Sequence, residues 1–95
     1  MILTLQKQRK ININMPRFIE RILYSYRLEK SPEGRRKVYY EIYYAVLDIT
    51  HIDIRDYDNS LYAMQALIKN ACIYAIEHDY SQADINMLKE IIDLL

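Results

Sequence analysis

Between positions 51 and 60 the chain reads HIDIRDYDNS, which gathers His51, Asp53, Asp56 and Asp58 into one short stretch. Imidazole and carboxylate groups at that density are the donor set of a divalent-cation site. Asp56, Asp58 and Ser60 also occupy the first alternating positions of an EF-hand loop. That loop needs glycine at its sixth position for a sharp turn and a bidentate glutamate at its twelfth. Those positions hold Leu61 and Leu67. The motif fails, and the stretch reads as a solvated acidic loop with no metal expected.

Nucleophilic chemistry has one thiol to draw on, Cys72, which falls near the apolar face of its segment, where cysteine behaves as a small hydrophobe. The carboxylates fall on presumed solvent faces, not in an apolar pocket that would tune them for proton transfer. No catalytic set is read, so an enzyme, a cofactor and a small-molecule substrate are not expected. Within ALIKNACIYAIEH, 66–78, Asn70, Ala71 and Tyr74 match the motif L-x-x-N-A-x-x-Y. The segment resembles the N-box helix of the ATP-binding domain in sensor histidine kinases, where the asparagine contacts magnesium. That family also needs glycine-rich boxes, and this chain has one glycine. Ala63, Ala66, Ala71 and Ala75 are instead read as small residues that permit close helix packing.

The remaining constellation is RRKVYYEIYYAVLDIT, 35–50, where four tyrosines follow three basic residues. On a helix turning about 100° per residue, Val38, Ile42, Ala45, Val46 and Ile49 share one sector and read as a core face. Tyr39 and Tyr43 flank it, while Tyr40, Tyr44 and Leu47 lie on the far side, where a surface helix should be polar. Three readings stay open. The tyrosines roof the domain's own core, form a protein interface in which Tyr and Arg are favoured, or stack on nucleic-acid bases. Arg35 and Tyr39 are four apart, as are Arg36 and Tyr40, a spacing that predicts cation–π contacts along the helix. The candidate interface is Arg35, Arg36, Tyr39, Tyr40, Tyr43, Tyr44 and Leu47.

Four helices are predicted to carry these groups. Pro16 suits the first turn of a helix running to about residue 30. Ser31 as cap, Pro32 in the first helical position and Glu33 at the positive terminus open a second over 32–49. Asp58 or Asn59 caps a third, 60–78, whose end holds His78 in a place favourable with the helix dipole. Ser81 begins the capping sequence S-Q-A-D ahead of Ile85, Leu88, Ile91, Ile92 and Leu95, a fourth helix over 82–95. Residues 1–15 alternate apolar with polar residues and read as an extended or partly disordered basic segment. They are candidates to pair as a short two-stranded element with 50–57.

With 95 residues, 52% hydrophobic and 27% charged, the chain fits one globular domain over 16–95 behind that segment. One glycine and two prolines argue against an all-β or Rossmann-type fold, which leaves an all-α, antiparallel four-helix domain. A single cysteine excludes an internal disulfide and fits a reducing compartment, and the N-terminus lacks the order of a secretory signal, so the cytoplasm is expected and a membrane is not. The net charge of zero hides a split: residues 1–40 carry ten Lys/Arg against three Glu, +7, and residues 41–95 three against ten Asp/Glu, −7. Lys7, Arg9, Lys10, Arg17 and Arg21 are therefore candidate anion-binding residues. Two functions follow as expectations. The first is a non-catalytic interaction module (a regulator, adaptor or inhibitor) whose partner is a second copy, in a homodimer through the tyrosine-rich second helix, or another protein. The alternative is a nucleic-acid binder that uses the basic half.

Overall fold

Asn14, Ser31 and Ser81 each offer a side-chain oxygen to a backbone N–H three residues ahead, and each opens a helix. Arg17 N–H donates to Asn14 at 3.2 Å, Gly34 N–H to Ser31 at 3.0 Å and Asp84 N–H to Ser81 at 3.1 Å. Each bond satisfies a donor that the first turn leaves without an intrahelical partner. The computed structural model describes residues 12–29 and 31–95, and the regular structure among them is all helical. In chain order the helices are α1 (Met15–Leu28), α2 (Pro32–Arg35), α3 (Val38–Thr50), a 3-10 turn (Ile54–Asp56), α4 (Ser60–Glu77) and α5 (Gln82–Leu94). The extended or partly disordered segment expected over 1–15, with Lys7, Arg9 and Lys10, lies outside the described residues as far as residue 11.

The helix expected over 32–49 is two helices. At Lys37 the backbone leaves the helical region, with φ −90° and ψ 10°. The bonds there tighten to Lys37 N–H onto the Gly34 carbonyl at 3.1 Å and Tyr40 N–H onto the Lys37 carbonyl at 3.0 Å. Two features favour a break at this point. Gly34 costs a helix about 1 kcal/mol relative to alanine, and Arg35, Arg36 and Lys37 crowd like charges together. The turn also lets α2 fold back on the end of α1, where Arg35 Nε donates to the Glu29 carbonyl at 3.0 Å.

The 50–57 stretch was a candidate strand; it carries a 3-10 turn instead, and no strand occurs among the described residues. Asp53 caps that turn by accepting from the Arg55 N–H at 3.0 Å. The reason is burial: the turn drives Ile54, fully buried, between α3 and α4. With a single glycine to spend, the chain closes α3 and α4 through His51 (φ 61°) and Asp79 (φ 58°). His and Asp tolerate this left-handed region better than most side chains.

The main packing pairs are α1 against α3 and α4 against α5, joined by contacts of α1 with α4 and α5 and of α3 with α4. Phe18, Ile19 and Ile22 from α1, Ile42 and Val46 from α3, Met64 and Ile68 from α4, and Leu88 and Ile91 from α5 fill one core. Burial of each such side chain contributes about 1.5–3 kcal/mol. No buried side-chain polar atom lacks a hydrogen-bond partner among the described residues. No helix among them is long and apolar enough to cross a membrane.

Candidate interaction surface

On α3 the inward row is Val38, Ile42, Ala45 and Val46, all buried, with Ile49 packed at its edge. Tyr39 and Tyr43 are half-buried on the flank, with ring centroids 6.3 Å apart, edge to face. The Tyr43 hydroxyl donates to Ser60 Oγ at 3.3 Å and ties α3 to the start of α4. Tyr39 and Tyr40 rings lie 4.2 Å apart. The neighbouring Tyr40 hydroxyl, and then burial, push the Tyr39 phenol above its ordinary range. Leu47 is half-buried.

Tyr40 and Tyr44 are 47% and 49% exposed, so about half of each residue is covered by the rest of the chain. They form one wall of an open groove of about 630 Å³ at the corner of α1, α2 and α3. Ser25, Tyr26 and Glu29 also line it, and Glu33, Arg35, Lys37 and Glu41 supply charge around it. Arg35 does not stack on Tyr39 as its spacing predicted. The break at Arg36–Lys37 removes the i, i+4 relation, and the guanidinium lies 4.8 Å above the Tyr26 ring instead. Nor do Arg36 and Tyr40 form the expected cation–π pair; Arg36 is exposed and lines a smaller hollow of about 390 Å³ with Glu90, Asp93 and Leu94.

Tyr26 is the pivot of this corner. It is 4% exposed, and its hydroxyl donates to Glu90 Oε2 at 3.1 Å, which links α1 to α5. Burial first, and the Glu90 bond second, raise its phenol above the ordinary range, with Arg35 opposing.

The candidate anion-binding residues are dispersed. Lys7, Arg9 and Lys10 lie outside the described residues. Arg17 is exposed, and Arg21 forms an ion pair with Asp48. Arg27 likewise pairs with Asp84. Both pairs join the basic first half to the acidic second half, so part of the charge split is neutralised within the chain. In the 51–58 stretch, Asp53 holds Arg55 through two side-chain bonds at 2.9 and 2.7 Å. The Arg55 side chain is the main reason that the Asp53 carboxyl is held below its usual range. No group of three or more His, Cys, Asp and Glu among the described residues is arranged to hold a metal ion. Cys72 is buried, and burial pushes its thiol up, with Lys89 opposing weakly. His78 stacks on Tyr74 at 3.8 Å, and its Nδ1 lies 2.9 Å from the Tyr74 carbonyl, which places the proton on Nδ1.

A second surface escaped the sequence reading. The outer side of α4 exposes Tyr62 (66%), Ile73 (54%) and Ile76 (56%), directly away from its buried row of Met64, Ile68, Ala71 and Ala75. The signal was present in the spacing of Tyr62, Ala66, Lys69, Ile73 and Ile76, which alternates four and three. Against a segment already rich in apolar residues, that second stripe did not stand out. No protein-family model, no curated protein and no solved structure matches the chain.

Proposed function

We propose that the protein is a non-catalytic interaction module, a regulator, adaptor or inhibitor that acts by docking another protein in the groove between α1, α2 and α3. The observation that carries this reading is the pair Tyr40 and Tyr44, half-exposed along one wall of an open groove on a rigid helix. Large, stiff, amphipathic rings of this kind anchor protein interfaces at low entropic cost. The partner segment that fits carries an apolar side chain for the tyrosine wall and a cation for Glu29, Glu33 and Glu41, since Arg35 is already engaged by Tyr26 and Glu29.

The expected homodimer through this helix fits less well. A two-fold contact requires a self-complementary patch, and a concave groove is filled by a partner's convex segment. The nucleic-acid alternative also ranks lower, because Arg21 and Arg27 already face Asp48 and Asp84. An antiparallel arrangement of α1, α3, α4 and α5 belongs to this proposal and is supported by their short connections. A reducing, cytoplasmic setting is supported by the buried lone thiol of Cys72.

The test is an immobilised wild-type chain compared with Tyr40→Ser/Tyr44→Ser. Wild type should retain a protein partner that the variant loses, with helix content kept, because hot-spot truncations cost about 2 kcal/mol or more each. Identical retention by both chains overturns the groove as the docking site. Retention of nucleic acid that falls steeply with salt favours the alternative.

A further inference from the structure

The outer face of α4 carries a charge pattern that no other described residue matches. Lys69, Ile73 and Glu77 are four apart and trace one exposed strip, with Ile76 beside it. Lys69 and Glu77 are separated by eight residues, about 12 Å along the axis, so they cannot pair with each other. Neither side chain has an ion-pair or hydrogen-bond partner among the described residues.

We infer that this face is a two-fold contact between two copies of the chain, centred on Ile73. A cation and a carboxylate at equal distances on either side of a central apolar residue are self-complementary under rotation. In an antiparallel pair with its axis through Ile73, Lys69 of each copy meets Glu77 of the other. The two Ile73 side chains meet at the axis, and Ile76 of each copy fills the flank. Parallel pairing sets Lys69 on Lys69 and Glu77 on Glu77, so the charges select the antiparallel register. The exposed isoleucines supply the apolar area and the ion pairs supply the alignment. The surface lies on a different helix from the tyrosine wall of the groove. This contact does not depend on the docking reading; where that reading also holds, the dimer presents two grooves and binds a divalent partner with avidity.

Sedimentation equilibrium with charge swaps tests the contact. Wild type should form a dimer at about 100 µM, within the affinity range of small interfaces. Lys69→Glu and Glu77→Lys should each weaken dimerisation by at least about tenfold, because like charges then face each other. An equimolar mixture of the two single variants, and the double variant Lys69→Glu/Glu77→Lys, should both recover it, since each restores opposite signs. Both residues are exposed, so folding is kept. A wild-type chain that stays monomeric at that concentration overturns the inference, as does a dimer indifferent to the swaps. A dimer lost only in Tyr40→Ser/Tyr44→Ser moves the contact to the groove and overturns it equally.

Discussion

Replacing Tyr26 with phenylalanine removes one oxygen from the most buried phenol of the groove corner and leaves its ring in place. That oxygen donates to Glu90 across a sequence separation of 64 residues, at 3.1 Å. A typical hydrogen bond contributes about 0.5–1.5 kcal/mol and one to a charged group about 1.5–3 kcal/mol, the upper range needing a partner kept from water. Glu90 is exposed, so its carboxylate regains water when the hydroxyl is deleted. The lower range applies, and Tyr26→Phe should cost about 1 kcal/mol. For a domain of this size that lowers Tm by about 4–8 °C. Urea denaturation should show a lower midpoint with an unchanged slope. In a double-mutant cycle, Tyr26→Phe and Glu90→Ala should couple by most of that 1 kcal/mol.

The same residue shapes the alkaline limb of stability. Its phenol is raised in the fold, so it binds a proton there that the unfolded chain has already released. Its contribution is present below the ordinary tyrosine value of about 10 and is lost as pH climbs above it. Tyr26→Phe should therefore lose less stability above that pH than wild type does. The reasoning is refuted if the two substitutions are additive, or if Tyr26→Phe steepens the alkaline limb.

Two further outcomes follow from local geometry. Gly34→Ala should raise stability by about 0.5 kcal/mol, part of the helical gain of alanine over glycine. The new methyl displaces the exposed end of Glu29, and Ser31 Oγ at 3.0 Å must give by a few tenths of an ångström; a fall in urea midpoint would show that the Ser31 cap has been lost. Cys72, buried and with its thiol raised by burial, should react with a thiol reagent far more slowly in the native chain than in denaturant. Equal rates would mean that α4 opens from α5.

Local chemistry was legible wherever it acts within one helical turn. Ser31 and Ser81 read as caps because a hydroxyl three residues before a free N–H satisfies it in almost any tertiary setting. Asn14 belongs to the same class but was hidden behind the stronger signal of Pro16, which sits in the first turn that Asn14 caps. The core rows of α3 and α5 were legible for a similar reason: helical periodicity places Val38, Ile42, Ala45 and Val46, or Ile85, Leu88 and Ile91, on one side regardless of what covers them.

What tertiary structure decided is which neighbour each ambiguous group meets. Arg35 could reach Tyr39 only on an unbroken helix; the fold of α2 against α1 offered it Tyr26 and the Glu29 carbonyl instead. The opposed charges of the two halves were visible in composition, but Arg27 found Asp84 across 57 residues only because the helices stack in this order. The outer stripe of α4 looked like more of the same apolar segment until α5 and the Ile54 turn had taken the other side. Periodicity gives the rows of a helix; the packing of its neighbours determines which row is left to face something else.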